Sequence, residues 1–60
     1  MDEIKIGDGV LIIKGEFHGY TGKVLRIENN NAKILLLIDD KKIVKTLPLE
    51  YLKKIILPIF

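Results

Sequence analysis

The chain has 60 residues, so it forms one small domain at most, and 48% of those residues are hydrophobic. The absence of cysteine excludes disulfides and any Cys-built metal site, while a net charge of +2 is compatible with an RNA partner without requiring one. Stability must therefore come from packing alone. No apolar run approaches the roughly 20 residues of a membrane helix, and no signal peptide is evident, which predicts a cytoplasmic protein without a membrane partner.

The first half of the chain predicts two strands joined by a glycine-rich loop. Residues 10–13 form a β-branched run bounded by glycines, which is too short for a stable helix and typical of a strand. Residues 23–28 predict a second strand. Its core candidates Val24 and Ile27 are three positions apart, which breaks the period of two and predicts a bulge between them. The asparagines at 29–31 predict a hairpin turn.

The second half predicts three more strands. Residues 32–38 alternate, with Lys33, Leu35 and Leu37 on the face away from the core. Residues 39–41 predict a turn and residues 42–47 a fourth strand. The pattern does not decide which side chains of this strand face the core. Pro48 ends this strand and is expected to begin one helical turn over 48–51. Residues 52–55 predict the last strand, and the apolar residues 56–60 either pack over the barrel or form an exposed tail.

Five short strands at a spacing of roughly ten residues predict a small, monomeric antiparallel β-barrel. Its expected core combines apolar residues from the strands with one aromatic residue from the first loop. These residues are Val10, Ile12, Phe17, Val24, Ile27, Ile34, Leu36 and Leu52.

The most specific pattern lies between the first two strands. It reads Gly15-Glu16-Phe17-His18-Gly19-Tyr20-Thr21-Gly22-Lys23-Val24, and it is preceded by Gly-Asp-Gly-Val at 7–10 and followed later by Leu-Pro-Leu-x-x-Leu at 47–52. This sequence resembles the KOW motif of the NusG family of transcription elongation factors over about residues 6–55. The resemblance implies a five-stranded SH3-like barrel with one 3₁₀ turn before the last strand.

The sequence departs from the family pattern at two positions. Family members often carry proline where this chain has Glu16, and housekeeping NusG proteins tend to carry an exposed aromatic where it has Asp39. The run Ile-Leu-Leu-Leu-Ile-Asp-Asp-Lys-Lys-Ile at 34–43 looks closest to the specialised antitermination paralogues RfaH and LoaP. Resemblance to RfaH also implies a second, helical fold for residues 33–47, which are rich in leucine and lysine.

The sequence predicts neither an enzyme nor a cofactor. His18 is the only histidine, and Thr21 and Thr46 are the only hydroxyl residues besides tyrosine, so no nucleophile–base pair or histidine-rich metal site can be assembled. Asp39 and Asp40 are adjacent carboxylates that are typical of a solvated turn.

Two binding hypotheses follow. In the first, basic side chains and one aromatic ring form a surface for RNA. Its residues are Lys14, His18, Tyr20, Lys23, Arg26, Lys41 and Lys42. The alternative for these residues is that Phe17 and Tyr20 pack the mouth of the barrel while the lysines keep an apolar domain soluble.

In the second hypothesis, outward apolar side chains form a protein-docking patch. Its residues are Leu11, Ile13, Leu35 and Leu37, with Leu25 as a further candidate. The resemblance implies a small-subunit ribosomal protein, termination factor Rho or the N-terminal domain of the same protein as partners. The alternative is that the apolar tail 56–60 covers these leucines.

The resemblance also implies an N-terminal domain that binds RNA polymerase. We therefore expect residues 1–60 to be one KOW domain, the C-terminal domain of a longer NusG-like protein. The alternative is a free-standing KOW protein of ribosomal type that binds rRNA. Of these readings we favour contact with a nascent transcript as part of transcription antitermination.

Overall fold

The computed structural model describes residues 3–55, which form a five-stranded antiparallel sheet with one short 3₁₀ turn. The elements are β1 (Gly9–Ile12), β2 (Thr21–Glu28), β3 (Asn31–Ile38), β4 (Lys41–Pro48), the 3₁₀ turn η1 (Leu49–Tyr51) and β5 (Leu52–Ile55). The strand order is β4-β3-β2-β1-β5, so β4 and β5 are the two edges. The predicted all-β, SH3-like fold is confirmed.

Two-residue turns join β2 to β3 and β3 to β4. Asn29, Asp39 and Asp40 have φ angles of 55°, 51° and 63°. Asn and Asp tolerate this left-handed region better than other residues with a Cβ, and hairpins favour positive φ in their turns. The predicted turns are confirmed, except that Asn31 already belongs to β3 and Lys41 to β4.

The predicted bulge in β2 is also confirmed. Val24 lies opposite Ile34 and Arg26 lies opposite Lys33, so the register shifts at Leu25. Because the shift adds one residue, Val24 and Ile27 both reach the core face despite their spacing.

The core lies on one face of the sheet. Its buried members are Val10, Ile12, Val24, Ala32, Ile34, Leu36 and Leu52. Phe17 and Ile27, which the sequence placed in the core, are only half-buried and pack against its rim, since the loop and the strand end that carry them lie at its edge.

The 3₁₀ turn η1 connects the β2–β3 turn to the β1–β2 loop. The Leu49 N–H donates to the Asn30 carbonyl at 2.8 Å, and the Ile13 N–H donates to the Tyr51 carbonyl at 2.8 Å. Pro48 has extended angles, φ −60° and ψ 144°, so it precedes this turn and does not begin it as predicted. Within residues 3–55, no helix is long and apolar enough to cross a membrane.

Candidate nucleic-acid interface

The face of the sheet turned away from the core, here called the outer face, carries alternating rows of side chains from β2, β3 and β4. The register aligns Lys23 with Leu35 and Val44, Arg26 with Lys33 and Thr46, and Leu37 with Lys42. Directly opposed residues share a face of an antiparallel sheet. The outer face therefore mixes cationic and apolar side chains.

The apolar part of this face is open to solvent. Leu37 is 63% exposed and Val44 is 49% exposed, while Leu35 between them is half-buried. Leu11 of β1, also half-buried, lies opposite Thr21 on one side and Lys53 on the other. Lysines thus border the apolar side chains.

The basic part of the outer face lies toward the β2–β3 turn. Arg26 Nε forms an ion pair with Glu28 Oε1 at 2.8 Å, and both side chains are largely exposed. A surface cavity of about 300 Å³ opens at this place. Its lining residues are Arg26, Glu28, Asn29, Asn31, Lys33 and Thr46.

The β1–β2 loop is held in a defined shape by its own backbone. Gly15 and Gly19 have φ angles of +87° and +95°, which side chains rarely allow. The Gly19 N–H donates to the Ile12 carbonyl at 2.8 Å, which closes the loop onto β1. His18 Nδ1–H donates to the Gly15 carbonyl at 3.1 Å, so this ring is engaged within the loop.

Aromatic rings fix the loop against the rest of the domain. The Phe17 and Tyr20 ring centroids are 6.5 Å apart, and Lys45 Nζ of β4 lies 5.6 Å from the Phe17 centroid. A Cβ on Gly15 would lie 3.0 Å from the Tyr51 ring, so the loop backbone packs directly on η1. Tyr20 keeps 43% of its surface exposed.

The structure distributes the predicted RNA-binding residues over three places. Lys14, His18 and Tyr20 lie in the β1–β2 loop. Lys23, Arg26 and Lys42 lie on the outer face. Lys41 lies opposite Ile38 and belongs to the other face, at the start of the edge strand β4.

The predicted docking residues share the outer face with those cations. Leu11, Leu35 and Leu37 lie there, and Ile13, which follows β1, is 46% exposed. Leu25, at the bulge, is 39% exposed. The predicted tail, residues 56–60, lies outside the described residues, so the alternative that it covers these leucines stays a prediction.

Sequence reasoning left Lys33, Val44 and Thr46 out of both candidate sites. Alternation along β3 does place Lys33 on the same face as Leu35 and Leu37, and that signal was sufficient to include it. Val44 and Thr46 required the pairing of β4 with β3, because the sequence of β4 has lysines on both faces.

Among residues 3–55, no group of three or more His, Cys, Asp or Glu side chains is placed to hold a metal ion. The backbone N–H of Lys5 and, after it, the ammonium of Lys54 hold the pKa of Asp8 below its usual value, away from the outer face.

A small antiparallel barrel with an exposed face of cationic and apolar side chains defines a β-barrel binding module. Residues 6–36 match the KOW motif, and the chain belongs to the KOW family. It is also similar to a solved structure described as the crystal structure of the MjSpt4:Spt5 complex, conformation B, with 33% sequence identity and a TM-score of 0.79. This chain is therefore a KOW domain whose structure is similar to part of a chain in that complex.

The similarity covers 92% of this chain and 39% of the chain in that structure. No curated protein matches this sequence at a significant level.

Proposed function

We propose that this chain is the RNA-contacting module of a NusG-type transcription elongation or antitermination factor. One observation carries the proposal: within β2, β3 and β4, the outer face presents four cationic side chains and a single acidic one. The cations are Lys23, Arg26, Lys33 and Lys42, and the acid is Glu28. Such a face supplies the phosphate contacts on which RNA affinity depends.

The β1–β2 loop supplies the second element of this proposal. An exposed aromatic ring beside a basic surface is the usual platform on which an unpaired base stacks. Tyr20 offers an exposed ring in the β1–β2 loop, because it is 43% exposed and its loop is fixed by the contact of Gly15 with Tyr51. Lys14 and His18 lie in the same loop.

The proposal includes a role for the domain in a larger protein. Residues 6–55 act as the C-terminal domain of a cytoplasmic factor whose N-terminal domain contacts RNA polymerase, and antitermination in the manner of RfaH and LoaP is its finer form. The KOW match and the similarity to Spt5 support the transcription-factor class. The outer face suits a binding role and not a catalytic one.

Salt dependence tests the RNA contact. Because bound phosphates release counterions, log affinity for a single-stranded RNA should fall linearly with log salt, by ~0.7 for each phosphate contact. Lys23→Glu and Arg26→Glu should weaken binding to all sequences and lower that slope. Tyr20→Ala should cost roughly 1 to 3 kcal/mol for one stacked base. Fluorescence anisotropy of labelled RNA over a salt series measures all three effects.

Lys5→Glu is the matched control, since it makes the same charge change before β1, outside the strands β2, β3 and β4 that present the cations. It should leave the salt slope nearly unchanged. Equal losses from Lys5→Glu and Lys23→Glu would mean that net charge, and not the outer face, attracts RNA.

Protein docking is the second candidate, because Leu37 and Val44 expose apolar surface on the same face. Its partners would be a small-subunit ribosomal protein or Rho, and the similar Spt5 structure is itself a complex. Leu37→Glu should abolish such docking, while Ile6→Glu, at an equally exposed apolar position before β1, should not. If RNA shows no saturable binding in low salt while Leu37→Glu abolishes binding to a ribosomal protein, the docking function replaces the RNA function.

A further inference from the structure

Two cations face each other across the β2–β3 pair. Arg26 lies directly opposite Lys33 on the exposed outer face. Like charges in this arrangement repel each other and destabilise a sheet. The strand pairing gains nothing from this choice of residues, so the pair is a local violation of the rules of sheet stability, and such violations concentrate at functional sites.

The bulge at Leu25 creates this arrangement. The fold needs the bulge to bring Ile27 to the core, and the same register shift turns position 26 outward beside Lys33. The fold does not, however, require an arginine at position 26. Glu28 compensates Arg26 through the 2.8 Å ion pair. None of the ion pairs formed within residues 3–55 involves Lys33.

The two cations line a cavity together with the carboxylate of Glu28 and uncharged polar side chains, so cations outnumber acids there by two to one. Its volume of about 300 Å³ is at the lower end of the ~300–1,000 Å³ range of ligand sites. Arginine and lysine can only donate hydrogen bonds, whereas the amides of Asn29 and Asn31 and the hydroxyl of Thr46 can donate and accept. This combination of side chains fits a ligand in which an anionic group is joined to a ring that carries hydrogen-bond donors and acceptors on its edge.

We infer that this cavity is the subsite for one nucleotide of single-stranded RNA. The phosphate lies between Arg26 and Lys33, and the Asn31 and Thr46 side chains contact the edge of the base. Unpaired bases offer these edges to protein side chains. The inference rests on the proposed RNA contact. It adds a place where the module distinguishes one base from another, whereas the neighbouring phosphate contacts only position the RNA strand.

Short homopolymers of each of the four RNA bases test the inference when they are titrated at several salt concentrations. Lys33→Gln should weaken binding to every homopolymer and reduce the salt slope by about 0.7. Thr46→Val and Asn31→Ala should leave the slope unchanged and reduce the preference for the best base by up to roughly tenfold. Lys53→Gln and Thr21→Val are matched controls on the outer face and should leave the base preference unchanged.

Thermal stability gives an independent measurement. Lys33→Glu replaces a repulsive cross-strand pair by an attractive one, so its melting temperature should rise above that of the unchanged protein while its RNA affinity falls. A variant that melts at a higher temperature but binds RNA less tightly has not lost its affinity through damage to the fold, so Lys33 would be a binding residue.

Two results would overturn the inference and can be told apart. If Lys33→Gln, Thr46→Val and Asn31→Ala all retain the affinity and base preference of the unchanged protein while Lys23→Glu still weakens binding, the proposed RNA function stands and the subsite is wrong. If the unchanged protein binds none of the homopolymers in low salt, both are wrong.

Discussion

The backbone around Gly22 leaves no room for a side chain. A positive φ angle is not the reason, because the glycines with positive φ among the described residues are Gly7, Gly15 and Gly19. A Cβ at position 22 would meet the Ile34 side chain and would lie 2.7 Å from the Leu35 carbonyl oxygen. Position 22 requires glycine because β2 approaches β3 closely there. The φ angle of Gly22 does not require it.

We expect Gly22→Ala to destabilise the domain by about 3 kcal/mol, the upper part of the usual range for overpacking, because one of the colliding atoms is backbone. Gly19→Ala is the matched control. It has φ +95° with no atom within 4 Å, so it should cost about 1–2 kcal/mol for backbone strain alone. Urea denaturation measures both, and equal losses would contradict the steric explanation.

Ile34 and Leu36 are completely buried at the centre of the core. Truncating either to alanine should cost about 2–5 kcal/mol, a large share of the 5–15 kcal/mol that typically stabilises a domain. Leu37→Ala, on the exposed outer face, should change stability by no more than about 0.5 kcal/mol. Denaturation midpoints for these variants test the assignment of faces along β3, and a costly Leu37→Ala with a harmless Ile34→Ala would reverse it.

At the level of the element, β2 depends on its bulge. Deleting Leu25 would remove the extra residue and leave Val24, Arg26 and Ile27 opposite Ile34, Lys33 and Ala32, so the faces of β2 would be kept and only its local bend and extra twist would be lost. We expect this deletion to lower the melting temperature, because a small barrel needs such a bend to close.

Leu25→Ala provides the control for the deletion. It keeps the chain length and removes a side chain that is already 39% exposed, so its effect on stability should be small. Circular dichroism melts distinguish the two variants. A deletion variant as stable as Leu25→Ala would show that the barrel closes without the bend at the bulge.

The strands could be predicted because local patterns define them. Alternation in β3, the broken period in β2 and the asparagine and aspartate turns are all short-range signals. The inward set of β4 could not be predicted, because Lys41 and Lys45 occupy its core-side positions at the sheet edge, where their charged ends stay exposed. Cross-strand register, which is also a long-range property, decides that Lys23 and Leu35, assigned from the sequence to two different candidate surfaces, share one face.

At the scale of the whole molecule, Asp8 links the chain before β1 to β5. Its carboxylate accepts a hydrogen bond from the Lys5 N–H at 2.8 Å and lies 3.4 Å from Lys54 Nζ. The Lys5 N–H, followed by Lys54, lowers the pKa of this carboxyl from the usual 3.8. A lowered pKa in the folded state stabilises the protein above the unfolded-state value, and this contribution is lost as the pH falls through the folded-state value.

Asp8→Asn should therefore be less stable than the unchanged protein at pH 7, and the difference should shrink once the pH falls below 3.8. Thermal denaturation of the two proteins over pH 2–7 measures it, with every other carboxyl group common to both. A difference in melting temperature that stays constant over this range would show that the charge of Asp8 does not contribute.

Residues 33–47 lie within β3, β4 and the turn between them. The helical alternative implied by RfaH stays a prediction for the same segment. Amide chemical shifts of the full-length protein compared with those of the isolated domain would test it.

The pairing of the first strand with the last also determines how the domain responds to force. Gly9 lies opposite Ile55, and the two strands run antiparallel, so the polypeptide enters and leaves the sheet side by side. Tension applied along the chain would separate β1 from β5 one hydrogen-bonded pair at a time, as a zipper opens, instead of shearing all the pairs together. The domain would therefore yield at low force, and while folded it would add almost nothing to the reach of a chain that carries it.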